Sequence, residues 1–397
     1  MRVTSNLMFS SGMTALQNKQ QELMNVQEKS LTGNRINRPS DDPSSVYRHM
    51  LFSSDLSGIE SLMKTTEFAS QRVDLADVQM GQIHERMLEA QDLVMKMSSS
   101  SVGGQPEVMK AAAEEAEAMY QEILTNINTE LDEFPIFGGG RTNTPYQNDN
   151  LGATKVRVQT NGEGSLADAD TAIFATVAED NALSDVPLSI KVTYLASDDQ
   201  YEVDINGVAA LPVSASSDTP PVLDMGNGLT MTLGAEPAVG DVYYFEVVAS
   251  YQGGEKDRPV RVLGNQTLPG NPTAKEVLEG TGEVGRDINI LGALAALRGA
   301  LLRADPTEVA VQLNRIQEGR AQVSDLQAVA GVRVTQIDAV NNTLALDESS
   351  LVEMKATNVE ADLVEVLSKL EQTSQAMQVM TITERQVLNT SLIDFIR

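Results

Sequence analysis

Cysteine is absent from all 397 residues, which excludes disulfides, thiolate metal sites and thiol nucleophiles. Histidine is almost absent: only His49 and His84 are available, well apart on one expected helix, so a histidine metal site or a Ser/His/Asp arrangement lacks its parts. Basic charge is scarce as well. With 29 Lys and Arg against 56 Asp and Glu, a net charge of -27, the surface that would neutralise phosphates is missing, and nucleic acid and anionic membranes are excluded as partners. No stretch approaches the run of about 20 apolar residues that spans a bilayer. Met1 to Phe9 lacks a basic start followed by an apolar core, so any export is expected to use a route without a cleaved signal peptide.

What charge there is lies unevenly. Residues 1–43 sum to +1 and residues 355–397 to -2, against -27 for the whole chain. Near-neutral ends on an acidic body suit ends that pack against copies of themselves, because like charge opposes close packing.

At this length two or three domains are expected, each with its own core. Pro43 suits the first turn of a helix capped by Ser40 or Asp41. From Ile59 the positions Leu62, Thr66, Ala69, Val73, Ala76, Met80, Ile83, Met87, Ala90, Val94 and Met97 keep an unbroken 3,4 spacing, the signature of a heptad seam. Helix throughout 44–97 would be about 80 Å long at about 1.5 Å per residue. Gly103-Gly104 breaks it, and 107–133 resumes helical spacing through Met119, Ile123, Ile127 and Leu131.

After Phe134 the texture changes to turn residues and period-2 runs: Leu188, Ile190, Val192, Tyr194, then Tyr201, Val203, Ile205 and an Asn206-Gly207 hairpin turn. Further strands fit Leu229 to Leu233 and Val242 to Val248. Helical texture returns near Asp287, and Asp305-Pro306 begins a long helix over Thr307 to Met354. Its seam is Leu326, Ala330, Arg333, Ile337, Val340, Leu344, Asp347, Leu351 and Met354; beyond it Val359, Leu363, Val366, Leu370, Thr373, Met377, Met380 and Val387 run toward the end. Met8, Ala15, Leu23 and Val26 mark a weaker apolar stripe at the start.

The expected fold is mainly α with an inserted all-β domain. Residues 1–43 and 355–397 form a terminal helical assembly domain, 44–133 and 272–354 a helical-bundle rod, and 134–271 an outer β-sandwich or barrel-like domain. The assembly interface is expected on Met8, Ala15, Leu23, Val26, Leu363, Leu370, Met377, Leu392 and Phe395. Both ends should be mobile until assembly, since two lone stripes hardly offset about 1 to 2 kcal/mol of backbone entropy per ordered residue.

Signals for catalysis are weak. Gly280, Gly282 and Gly285 spell GxGxxG, yet a dinucleotide site needs a buried strand before it, and residues 271–279 have no apolar run of strand length. Gly138-Gly139-Gly140 reads as a flexible exit from the helical hairpin, and Asp198-Asp199 as a turn. No cofactor and no metal are expected.

One stretch carries a resemblance. Leu31 to Pro43, with Gly33, Arg35, Asn37, Arg38, Pro39, Asp41, Asp42 and Pro43, resembles the turn after the N-terminal helix in the flagellin superfamily, in the form found in its hook-associated junction members. Phe137-Gly138-Gly139 with Arg141 to Pro145, Ala356 to Leu363 and Ser391 to Ile396 are similar to the same members. The resemblance implies a structural subunit of the bacterial flagellum, secreted by type III export. It implies an adapter ring of identical copies joining the first hook-associated protein to flagellin, and an export chaperone on the C-terminal segment. Filament flagellin is the alternative, and a nucleotide-binding enzyme the remote one.

Overall fold

Runs of helix-forming residues give α1 (Arg2–Thr32), α2 (Pro43–Met97), α3 (Pro106–Ile127), α4 (Ala274–Leu278), α5 (Ile290–Leu302), α6 (Pro306–Val359) and α7 (Leu363–Ile396). The structure, a computed structural model, describes all residues except 1, 100–104, 161–166, 170–171, 179–182, 184–185, 196–199, 210–211, 218–219, 234–238, 257–258, 263–266, 281–286 and 397, and it leaves out the side chains of 2–9 and 387–396. The chain forms two compact units, Met1–Lys64 with Asn341–Arg397, and Thr65–Val340.

Within Thr65–Val340 the heptad seam of α2 is the helical core: Thr66, Ala69, Val73, Ala76, Met80, Ile83, Met87, Ala90, Val94 and Met97 are all buried. They pack with Met109, Ala116, Tyr120, Ile123 and Ile127 of α3 and with Val309, Ile316, Val323, Leu326, Ala330 and Ile337 of α6. α5 is buried from Ile290 to Leu301, which is why its sequence is apolar on every side. Asp305 caps α6 as expected, accepting from the amides of Thr307 and Glu308 at 2.8 and 3.3 Å.

Leu131 departs from expectation. α3 ends at Ile127, because Asn128 holds Tyr146 through both its amide groups, donating at 2.8 Å and accepting at 3.0 Å. Leu131 instead lies in β1 (Glu130–Leu131), paired with β2 (Phe134–Pro135) across Asp132 and Glu133, whose φ values of 52° and 67° make a tight turn.

The β region continues with β3 (Tyr146–Ala153), β4 (Arg157–Gln159), β5 (Ala167–Asp168), β6 (Phe174–Val177), β7 (Leu188–Leu195), β8 (Gln200–Ile205), β9 (Val208–Ala209), β10 (Val213–Ser214), β11 (Val222–Asp224), β12 (Leu229–Thr232), β13 (Val242–Tyr251), β14 (Val260–Arg261) and β15 (Thr267–Leu268). The main sheet runs β10-β8-β7-β13-β4-β5, with β3 also on β13 and β9 on β8; β11-β12-β6 form a second sheet. Ile190, Val203 and Phe245 of the first share a core with Leu223, Leu229 and Met231 of the second. This is a sandwich of open sheets, with no closed barrel among the described residues.

Asn206 and Gly207, at φ 52° and 82°, make the hairpin turn between β8 and β9. A Cβ on Gly207 would lie 2.8 Å from the Leu302 carbonyl oxygen, so this glycine serves both the turn and a close backbone approach. Gly207→Ala should therefore destabilise by about 1–3 kcal/mol, read as a lower urea midpoint at unchanged slope. Gly140→Ala, whose Cβ meets nothing within 4 Å, should barely move it.

Gly138 and Gly139 are not the flexible exit their composition suggests. The Gly254 amide donates to the Gly138 carbonyl at 3.0 Å, and a Cβ on Gly139 would come within 2.6 Å of the Gly254 oxygen; these glycines permit tight packing. Before Gly280 stands not a strand but α4, closed by a capping box between Thr273 and Glu276, so the dinucleotide reading loses its required context. Gly282 and Gly285 lie outside the described residues, as do Gly103, Gly104, Asp198 and Asp199.

Candidate assembly surface

The unit of Met1–Lys64 and Asn341–Arg397 is built differently. α1 and α7 pair along their length: Gly12 sits opposite Glu384, where a Cβ would be 3.0 Å from Oε1, and Glu22 lies 2.6 Å from Lys19 and 3.8 Å from Lys369.

Two of the four stretches quoted for the resemblance, Leu31 to Pro43 and Ala356 to Leu363, meet here. Gly33, at φ 73°, ends α1 in the left-handed conformation that glycine tolerates, and its carbonyl accepts from the Ala361 amide at 2.9 Å. The Arg35 amide donates to the Val359 carbonyl at 2.7 Å, its guanidinium donates to the Asn358 carbonyl at 3.0 Å, and Asn358 Nδ2 donates to the Ser45 carbonyl at 2.7 Å. A β-bridge joins Asn34 to Glu360. Arg38 reaches Glu28 at 3.2 Å, while Pro39 is exposed. The turn is therefore a staple between the segments after α1 and before α7. It also interrupts the expected continuous stripe at Glu360 to Asp362, where Asp362 caps α7 by accepting from the Val364 and Glu365 amides.

The cap of α2 is neither Ser40 nor Asp41. Asp42 accepts from the Ser45 amide at 3.2 Å and from the Ser45 hydroxyl, immediately before Pro43. Asp41 turns back to accept from the amides of Asn37 and Arg38 at 3.3 and 3.0 Å, a role set by the turn's folding and invisible to spacing. Hydrogen bonds from Ser45 and Ser44 hold the Asp42 carboxyl far below the usual range. A depressed native value contributes stability that is complete above the ordinary aspartate value and fades as pH falls below it. The protection of the Ser45 amide, measured as its exchange relative to the intrinsic rate at each pH, should therefore fall below about pH 4, and Asp42→Ala should show that lowered protection already at pH 7.

Among the described residues of this unit only Val26, Ile36, Ser45, Leu344 and Thr373 are buried. Of the expected interface residues, Val26 is buried, Ala15, Leu23, Leu370 and Met377 are half-buried, and Leu363 is exposed; the side chains of Met8, Leu392 and Phe395 lie outside the description. Exposed instead are Leu31 at 88%, Val364 at 78%, Leu367 at 54%, and Val379 and Ile382 both at 63%. The last four follow helical spacing along α7. The sequence carries this second set beside the 3,4 path through Val366 and Leu370. These apolar side chains lie in water along a helix whose unit has few buried residues.

In α6 the expected seam holds where it meets neighbours. Leu326, Ala330, Ile337 and Leu344 are buried, whereas Asp347 and Met354 are exposed. Arg333 is half-buried and donates to the Gly270 carbonyl.

Residues 3–132 match the family described as the bacterial flagellin N-terminal helical region. Helices from both chain ends pair and an antiparallel β region is inserted between them, and over that N-terminal third the chain is similar to the flagellins. More particularly, it is similar to flagellar hook-associated protein 3 of Escherichia coli (strain K12), 24% identical over 203 residues, or 49% of this chain and 63% of the relative. The protein of the same name from Salmonella typhimurium is 27% identical over 95 residues, 24% of this chain and 30% of the relative. Both matches span less than two thirds of the relatives' length. A solved structure from Vibrio parahaemolyticus, described as a flagellar hook-associated protein, shares the fold, with a TM-score of 0.50 at 13% identity over 81% of this chain and 100% of that one. The described residues contain no helix long and apolar enough to cross a membrane.

Proposed function

We propose that this chain is a structural subunit of the bacterial flagellum and works as an adapter at the hook-filament junction, joining the first hook-associated protein to flagellin. The observation that carries this reading is the α1/α7 unit, whose scant core and exposed α7 stripe need further surfaces to cover them. Identical copies in a ring supply some of these surfaces, and the flanking proteins supply the rest. Likeness to hook-associated protein 3 favours the junction over the filament itself. Export follows without a cleaved signal peptide, with a chaperone masking the apolar C-terminal helix until assembly. No catalytic step is assigned to it.

Immunogold labelling of intact flagella tests the reading: a single band between hook and filament supports it, and label along the whole filament would make the chain a flagellin. A companion expectation is that residues 1–42 and 356–397 become firmly ordered only on assembly, because a helix pair burying so few side chains barely offsets its ordering entropy. Limited proteolysis of the free subunit should cut first within these ends. Resistance there equal to that of α2 would discard this step.

A further inference from the structure

In the β region, facing strands β4 and β13 place Arg157 beside Glu246, and both are buried, at 8% and 1% exposure. Glu246 is fully occupied: Arg157 Nη2 donates to Oε1, Arg315 of α6 stands 3.5 Å from the same oxygen, and Thr154 Oγ1 donates to Oε2 at 2.7 Å. Burial pushes that carboxyl up, but the two guanidiniums outweigh it and hold it below its usual range. Arg157 is not satisfied in return. Its Nε and Nη1 are buried without a hydrogen-bond partner, and burial pushes the guanidinium down to about 10 in spite of Glu246. Two buried or half-buried guanidiniums thus face one carboxylate, and unpaired buried N–H groups are costly.

Arg157 lines a cavity of about 420 Å³, a size typical of small-ligand pockets. Lys155 and Lys275 also line it, as do Arg315 and Asn289, the residue that caps α5. The first turn of α5 adds the partial positive charge of a helix N-terminus. Three carboxylates share the lining. Asp168 and Asp287 are exposed to solvent, where their charge is screened. Glu279, whose carboxyl burial pushes up, accepts from the Tyr146 hydroxyl at 3.0 Å.

We propose that this cavity binds a small anion of the phosphate or carboxylate class, with Lys155 and Lys275 holding it at the mouth and the surplus positive charge of Arg157 and Arg315 in the wall attracting it.

The test uses the full chain in chloride buffer at fixed ionic strength, titrated separately with inorganic phosphate and with citrate while melting temperature and heat of binding are followed. The expected result is a saturable heat of binding with at least one probe, half-complete below about 10 mM, together with a melting temperature that rises with the logarithm of ligand concentration, as linkage requires. In the Lys155→Ala/Lys275→Ala double variant the half-saturation point should rise at least fivefold. Both lysines are exposed, so its melting in chloride alone should equal the parent's. Arg157→Gln combined with Glu246→Gln removes the buried pair together and should abolish saturation. If that variant fails to fold, the lysine variant decides alone. A rise in melting temperature with no saturable heat of binding, identical in the lysine variant, is a general salt effect, and it would overturn the proposal, as would no rise with either probe.

Discussion

Met87→Asp should destabilise the Thr65–Val340 unit by at least about 3 kcal/mol. Met87 has no exposed surface, and its methyl lies where a Cβ on Gly319 of α6 would approach to 3.0 Å. A carboxylate there finds no partner, and the lost methionine leaves a void. Burial would raise the new carboxyl's pKa, so the deficit relative to the parent should shrink as pH falls toward about 4, where the neutral form folds without the charge penalty. Lys96→Ala, at an exposed position one residue before the seam's last methionine, should stay within about 0.5 kcal/mol of the parent. Equal urea midpoints for both variants would mean that the seam does not hold the core.

The second large effect is on assembly. Leu367→Asp combined with Ile382→Asp places two charges on the exposed α7 stripe. The free subunit should melt as the parent does, because both side chains already face water. In a ring each charge would enter a contact that excludes water, at a cost repeated at every subunit. The expected outcome is normal export, no stable incorporation at the hook tip, and flagellin lost to the medium. Normal incorporation would show that this stripe is not the contact face. A lower melting temperature of the purified variant would instead place the two residues in the subunit's own core.

These contrasts mark where the sequence was sufficient. The α2 seam was legible residue by residue because a helix with one buried face and neighbours on that face imposes a strict 3,4 spacing. Asp305-Pro306 and Asn206-Gly207 were legible for a similar reason: each is a local backbone requirement met by particular residue types. α4 could have been found from its Thr273-to-Glu276 capping box, but the helix is only five residues long, too short for any periodicity.

The sequence by itself therefore determined the helical ends, the inserted antiparallel strands, the seam of α2 and the absence of thiols, because all of these follow from local spacing and composition. Only the tertiary structure decided the rest. It ended α3 at Asn128 through Tyr146, gave the α2 cap to Asp42 and turned Asp41 inward. It made Gly139 a close contact with Gly254, and it joined the turn after α1 to the segment before α7. It also separated the buried stripe of α7 from the exposed one. Each of these depends on residues far apart in the chain competing for the same hydrogen bonds and the same space, a competition that no local pattern records.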